Sequence, residues 1–193
     1  MTNAQKLEMA SGRVDVFLLQ RKYKEGLQAA ESLPDDQLAA AFHEGAVGGK
    51  YYDIGFARKS LQDEAGARAA FLKAKSAVEE ALKRSPDAAD MHIQLAKVLA
   101  YLGEKDAALA EAQRATELQP ESKDAFGGPE ITENVAQVHA ILGDNARAIE
   151  ILDGLLNRPS YVTVQTLKIN PIWDPLRSDP QFQALLEKYG GKA

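Results

Sequence analysis

The sequence predicts an all-α fold, a stack of about four helix–turn–helix hairpins that ends in a C-terminal capping helix. Three observations lead to this prediction. A pattern of small and apolar residues recurs about every 40 positions, its members follow helical spacing, and the chain ends in a proline-rich segment with its only tryptophan. A single hairpin cannot bury its apolar face, so we expect neighbouring hairpins to stack on each other.

The recurring pattern is clearest in "LGEKDAALAEAQRA" (102–115) and "LGDNARAIEILDGL" (142–155). Each segment begins with Leu-Gly, continues through a polar turn and enters a helical pattern. The same interval leads back to 61–74 and, with a weaker match, to 20–33. A small residue early in each second helix recurs at steps of 41, 41 and 40 residues, at Gly26, Ala67, Ala108 and Ala148. Positions four and seven further along are again small or apolar, so this helix face is predicted to pack.

The second copy, "YYDIGFARKSLQDEAGARAAFLKA" (51–74), resembles the tetratricopeptide repeat (TPR) most closely. The residues at the family's Trp, Leu-Gly, Ala, Phe and Ala positions are Tyr51, Ile54-Gly55, Ala67, Phe71 and Ala74. The resemblance extends over about residues 7–158 and implies a right-handed superhelix. It also implies a non-enzymatic scaffold that binds proteins or peptides in a concave groove.

The spacing departs from that family, because its period is about 34 residues and here the steps are longer. We expect the extra length in a helix that runs on through 76–86 and in linkers at 34–49 and 120–129. HEAT repeats have periods near this value, but the Leu-Gly and Ala-Phe-Ala positions favour TPR. The predicted boundaries are approximately 7–33, 48–86, 87–120 and 129–158 for the repeats and 159–193 for the capping segment.

The region from "FGGPEITENVAQVHAILGD" to the end also resembles the C-terminal TPR region of large bacterial signalling proteins. There, such regions follow kinase, cyclase or winged-helix domains. A regulatory or sensor arm of a longer protein is therefore the alternative function. The absence of a signal-peptide pattern predicts a cytoplasmic location, and an extracytoplasmic one stays open if the chain belongs to a membrane-anchored protein.

The capping segment contains "KINPIWDPLRSDPQFQALL" (168–186). Asp followed by Pro suits a helix start, because Asp caps the N-terminus and Pro loses no hydrogen bond at the first position. We therefore expect a helical turn at Asp174-Pro175 and a helix at Asp179-Pro180. The apolar residues of that helix form one stripe, and three neighbours are predicted to fill the space beneath it. The stripe is Phe182, Leu185, Leu186 and Tyr189, and the neighbours are Ile172, Trp173 and Leu176.

Composition and motifs argue against several function classes. A net charge of −5 disfavours nucleic acid and anionic membranes as partners, and the lack of cysteine excludes disulfides and thiolate metal sites. "HEGAVGGKYY" (43–52) resembles a phosphate-binding loop only in part and is interpreted as linker. The histidines, His43, His92 and His139, are far apart and are interpreted as packing residues. We therefore predict no enzyme activity, no metal and no cofactor, with an enzyme that lacks a sequence motif as the less favoured alternative.

In the resembled family, the first helix of each hairpin lines the groove. The positions that correspond are Ser11, Asp15 and Leu18, then Tyr52, Phe56 and Lys59, then Ile93, Lys97 and Ala100, and finally Glu133, Asn134 and Gln137. Among these, the predicted peptide contacts are Tyr52, Phe56, Lys59, Ile93, Lys97, Asn134 and Gln137. The alternative is that Tyr52 and Phe56 pack between hairpins. Because the first hairpin has Ser11 and Asp15, we do not expect the acidic C-termini of heat-shock chaperones as the partner.

Overall fold

The computed structural model describes residues 1–42 and 44–191, and for Glu44 the backbone alone. Within these ranges the chain forms eleven α-helices and one 3₁₀ helix, without a β-strand. They divide into two compact units, Met1–Asp87 and Ala88–Ala193. The helices of unit 1 are α1 (Asn3–Leu19), α2 (Tyr23–Glu31), α3 (Asp35–Ala41), α4 (Glu44–Ser60) and α5 (Glu64–Arg84). Those of unit 2 are α6 (Ala89–Leu102), α7 (Lys105–Leu118), α8 (Gly128–Ile141), α9 (Asn145–Leu156), α10 (Val164–Ile169), the 3₁₀ helix (Pro171–Leu176) and α11 (Pro180–Gly190).

Four hairpins share one backbone turn between their helices. The first or second residue after the first helix has a positive φ in each case: 59° at Arg21, 64° at Gln62, 80° at Gly103 and 79° at Gly143. These positions follow each other at steps of 41, 41 and 40 residues, the intervals found in the sequence pattern. In every turn the next N–H donates to the carbonyl five residues back at 2.9 Å: Lys22 to Phe17, Asp63 to Arg58, Glu104 to Leu99 and Asp144 to His139. This bond defines a Schellman motif, so the four turns are structural copies.

In unit 1, α1 packs on α2, α4 packs on α5, and α2 joins the two hairpins by packing on α4. The predicted extension of α5 is present, since this helix has 21 residues and α7 has 14. The predicted linker at 34–49 is wrong, because it contains α3 and the first turns of α4. Leu38 anchors α3 at 2% exposure, and the glycine-rich start of α4 is buried at Gly48. Burial against neighbouring helices outweighs the low helix propensity of glycine here.

In unit 2, α6 packs on α7, α8 packs on α9, and α6 lies beside α8. The 3₁₀ helix packs against α8, and α11 packs against α9. Trp173 and Phe182 are fully buried, as the sequence predicts. Tyr189, the last residue of the apolar stripe, is half-buried. Its hydroxyl donates a hydrogen bond to Oδ1 of Asp153 on α9 at 2.9 Å. The final segment therefore covers the apolar side of the last hairpin.

The two Asp-Pro pairs differ from each other in the structure. Asp179 caps α11, with its side chain accepting from the N–H of Gln181 at 2.9 Å, and Pro180 is the first helical residue, as predicted. The prediction for Asp174-Pro175 is wrong, because the 3₁₀ helix begins three residues earlier and is capped by Asn170. Asp174 instead pairs with Arg177 at 2.6 Å. Asn170 and Pro171 start this 3₁₀ helix instead, and they provide the cap and the first-position proline that were expected of Asp174 and Pro175.

Over residues 1–42 and 44–191, none of the helices is both long enough and apolar enough to cross a lipid bilayer.

Candidate functional site

The predicted contact residues of unit 1 lie on α4 and also pack within the protein. The Tyr52 ring lies 6.1 Å from the Phe71 ring of α5, and the Phe56 ring lies 6.3 Å from the Tyr23 ring of α2. Both pairs meet edge to face, a favourable aromatic arrangement. Tyr52 and Phe56 each remain half-buried, so part of each side chain reaches the surface. The α4 face therefore combines a packing role with a limited exposed aromatic area.

The third residue of this face, Lys59, is exposed. Its Nζ lies 3.3 Å from both carboxylate oxygens of Glu64, at the start of α5. An exposed ion pair of this kind contributes little stability, typically below about 1 kcal/mol. Lys59 can therefore exchange Glu64 for another carboxylate at small cost.

Gly55 determines how closely α5 approaches the α4 face. A Cβ at this position would lie 2.6–2.8 Å from three ring atoms of Phe71, which is 1% exposed. We expect Gly55→Ala to reduce the free energy of unfolding by about 1–3 kcal/mol, because a buried ring cannot move aside without strain. Gly12→Ala is the matched control, since a Cβ at Gly12 meets nothing within 4 Å. That change should be neutral or stabilise helix α1 by up to about 1 kcal/mol.

Urea unfolding followed by circular dichroism measures both changes. Equal stability of the two glycine variants would contradict close packing of Gly55 against Phe71.

In unit 2, the residues predicted to face the groove differ strongly in solvent exposure. Ile93 is 4% exposed and Ala100 is 5% exposed, so neither offers surface to a ligand. The reason is that α6 packs against α7 on one side and against α8 on another. The corresponding position in unit 1, Leu18, is buried as well, at 7%. Three of the positions transferred from the family are therefore buried and cannot contact a ligand: Leu18, Ile93 and Ala100.

The polar residues of α6 and α8 come together in one group. Lys97 donates from Nζ to Oδ1 of Asn134 at 2.7 Å, and this bond links the two helices. Asn134 also donates from Nδ2 to the Glu130 carbonyl at 2.9 Å, which fixes the orientation of its amide. Glu133 and Gln137 lie one helical turn apart on α8, where Gln137 favours the charged form of the Glu133 carboxyl. We call Lys97, Glu133, Asn134 and Gln137 the α6–α8 polar cluster.

Glu133 is the electrostatically unusual member of the polar cluster. Burial raises the pKa of its carboxyl above the ordinary value, while Lys97 and the hydrogen bond from Gln137 oppose that rise. A carboxylate held in a partly desolvated place interacts more strongly with an incoming donor than a fully hydrated one does. The cluster thus offers a carboxylate, an ammonium group and two amides within two adjacent helices.

Two histidines are half-buried and bonded to acidic side chains. Nδ1 of His92 lies 2.5 Å from Glu111, and Nδ1 of His139 lies 3.1 Å from Asp144. Both bonds tie the first helix of a hairpin to its own second helix or turn. His43 lies outside the described residues. In the part of the chain that the structure describes, no three His, Cys, Asp or Glu side chains are arranged to hold a metal ion.

Sequence reasoning missed an exposed aromatic pair in unit 2. Phe126 is 79% exposed and Tyr161 is 49% exposed, and their rings meet edge to face with centroids 5.6 Å apart. Arg158 and Glu121 hold the two loops together through bonds of 2.6 and 2.9 Å. Loop residues have no periodic signal, so the pattern that identifies helices could not find this pair.

A comparison with models of protein families finds a match in the third hairpin. Residues 89–122 match the family model of the tetratricopeptide repeat, and this range spans α6, α7 and the Gly103 turn between them. A search of curated proteins finds no match. The match of residues 89–122 and the all-helical architecture with four equivalent turns fit a tetratricopeptide-repeat protein.

Proposed function

We propose that this chain is a non-enzymatic scaffold that binds a protein or peptide through the first helices of its hairpins. Tetratricopeptide repeats in general mediate protein–protein interactions, and the family match supports that role at this coarse level. The finer assignment, to particular faces, rests on the side chains of α4, α6 and α8. Each unit has its own face, α4 in unit 1 and the α6–α8 polar cluster in unit 2.

The observation that carries the proposal is the α6–α8 polar cluster. Amide side chains both donate and accept, so Asn134 and Gln137 suit the alternating N–H and C=O groups of an extended peptide. Lys97 suits a carboxylate, and Glu133 suits a cationic side chain. Charged and polar groups at an interface mainly determine orientation and specificity. The cluster therefore favours a peptide ligand with mixed polar chemistry.

The α4 face supplies the apolar contribution in this proposal. Exposed parts of Tyr52 and Phe56 provide aromatic area, and Lys59 adds a cation one turn further along the helix. Aromatic residues supply a large share of the energy at binding sites, while surrounding charges supply less. Phe56→Ala should therefore weaken binding at this face more than Lys59→Ala does.

Peptide display tests the proposal even though the natural partner is unidentified. A random peptide library is selected on the purified chain, and enriched peptides are measured by isothermal titration against variants. We expect Lys97→Ala and Gln137→Ala to weaken at least one enriched peptide by about tenfold, equivalent to about 1.4 kcal/mol. Lys105→Ala is the matched control, because Lys105 is exposed on the second helix α7 and should leave the affinity unchanged.

Thermal melts of each variant separate lost contacts from lost folding. If no peptide is enriched, or if enriched peptides bind all groove variants as they bind the control, the proposed function is wrong. Loss of stability with retained binding for Phe56→Ala would assign that ring to packing against Tyr23 instead.

A further inference from the structure

Unit 1 contains a small pocket on a different side of α4 from Tyr52 and Phe56. Its volume is about 280 Å³, and its walls come from the end of α2, from α4 and from α5. Ile54 and Ala70 form an apolar floor, both 5% exposed. Ala69 keeps the α5 wall low, while Gly66 lets the side chains of Arg58 and Asp63 lie against the backbone of α5. Tyr51, Ile54 and Arg58 line it from α4, roughly 130° around the helix axis from Tyr52, Phe56 and Lys59.

One end of the pocket is built around a buried lysine. The Lys50 side chain is 8% exposed, and its Nζ donates to the Leu33 carbonyl at 2.6 Å and to Asp35 at 2.5 Å. Asp35 also accepts from the Tyr51 hydroxyl at 2.7 Å. A buried charge needs such partners, and here they hold the Tyr51 ring in one position. The wall is therefore rigid at the point where a ligand would meet it.

The lining cations are not equally compensated. Arg58 contacts Glu31 at 2.8 Å and Asp63 at 3.2 Å, and Lys50 contacts Asp35. Lys73 instead places its Nζ 5.0 Å from the centre of the Tyr51 ring, and no acidic side chain among the described residues lies within ion-pair distance of it. Lys50 Nζ lies 5.1 Å from the same centre, so two ammonium groups lie near one ring. This end of the pocket carries positive charge that the neighbouring acids leave partly uncompensated.

We propose that the pocket binds a single carboxylate group, with Lys73 as its ion-pair partner. The aliphatic part of the ligand would lie on Ile54 and Ala70, and the low wall at Ala69 would admit it. Ligand pockets usually have volumes of about 300–1,000 Å³, so this one suits a group of side-chain size. A glutamate side chain of a partner protein and a free small dicarboxylate share that chemistry. The site goes beyond the proposed peptide face, because it lies on another side of the same helix.

Nuclear magnetic resonance titration of the full chain tests this site. The probes are the blocked peptide acetyl-Gly-Glu-Gly-amide, its Gln counterpart, free glutarate and inorganic phosphate. We expect saturable shifts of the Gly66, Ala69 and Lys73 amide signals with a carboxylate probe, and a weak dissociation constant on the order of 10 mM, to which the apolar floor and the ion pair both contribute. The Gln peptide should produce no saturable shift. High salt should weaken the carboxylate complex through screening.

The variants isolate Lys73 as the recognising group. Lys73→Gln should weaken binding about threefold to fivefold, the scale of one exposed ion pair, and Lys73→Arg should restore most of it. Lys83→Gln on the same helix is the matched control, because Lys83 already pairs with Glu80 at 2.6 Å and lies away from the pocket. Both substitutions are at exposed positions, and the amide spectrum itself reports whether the chain remains folded.

Each result is decisive. Binding of the Glu peptide alone assigns an acidic side chain of a partner, and binding of glutarate alone assigns a free dicarboxylate, and either supports the carboxylate site. The inference is overturned by equal shifts with the Gln peptide, by binding of phosphate alone, or by unchanged binding in Lys73→Gln. It is also overturned if no probe causes saturable shifts. None of these results depends on the α6–α8 polar cluster, so the proposed function and this site can fail separately.

Discussion

Replacing Trp173 with alanine should lower the free energy of unfolding by about 3–5 kcal/mol, the usual cost of removing a large buried aromatic side chain. Trp173 is fully buried in the 3₁₀ helix, which packs against α8. Its indole Nε1 has no hydrogen-bond partner among the residues that the structure describes. The expected loss therefore comes from packing and the cavity left behind, and Trp173→Phe should cost much less because no hydrogen bond disappears.

Urea unfolding followed by far-ultraviolet circular dichroism measures this effect without relying on fluorescence, which the variant would lose with the only tryptophan. Phe126→Ala is the matched control, because that aromatic ring is 79% exposed. We expect the control to change stability by less than about 0.5 kcal/mol. If Trp173→Ala falls within the same range, the indole does not fill the core of unit 2.

The hairpin repeat was predictable because its positions are separated by constant intervals. Gly103 and Gly143 signal the turn directly, since glycine adopts a positive φ without strain. Arg21 and Gln62 occupy the same turn with positive φ, although their residue types do not favour it. Only the interval from the glycine copies shows that these two positions are equivalent. The constant interval thus identified two turns that residue preference alone would have missed.

The glycine-rich start of α4 was not predictable in the same way. Its glycines indicate a loop, yet the structure continues the helix through them because Lys50 and Ile54 on the same helix are buried. Lys50 bonds to Asp35, which is 15 residues earlier in the chain. Contacts of this kind depend on how helices pack, and no local pattern records them. Tertiary packing therefore overrides local preference at this point.

Sequence reasoning about the candidate site agrees with the structure for some side chains and disagrees for others. Lys97 and Asn134 were assigned to one surface from separate hairpins, and they form a direct hydrogen bond. Ile93 was assigned to the same surface but is buried. One step of about 100° around a helix separates exposed from buried positions, so a small error in helix rotation changes the list. The rotation depends on side-chain packing, which the sequence pattern defines only approximately.

Removal of residues 171–193 should have the largest effect on the molecule. The truncated chain loses the 3₁₀ helix and α11, which pack against α8 and α9. Trp173, Leu176 and Phe182 are fully buried, and Leu185 and Leu186 nearly so. Burial of such a side chain is worth at most about 1.5–3 kcal/mol. The sum is comparable with the whole net stability of a domain, about 5–15 kcal/mol, so we expect unit 2 to unfold or associate.

Light scattering after size exclusion and a thermal melt distinguish these outcomes. A chain that ends at Gly191 is the control, because it keeps α11 complete and should remain similar to the full chain in both measurements. A full-length chain with Glu187→Ala on the exposed side of α11 is the second control and should also be unaffected. The apolar side of α9, including the fully buried Leu152 and Leu155, would be exposed without its cover and should promote association.

A monomeric truncated chain with an unchanged melting temperature would show that the final segment does not stabilise the last hairpin. Association of the truncated chain, with both controls monomeric, would instead assign the cover to the Trp173–Leu186 side chains themselves.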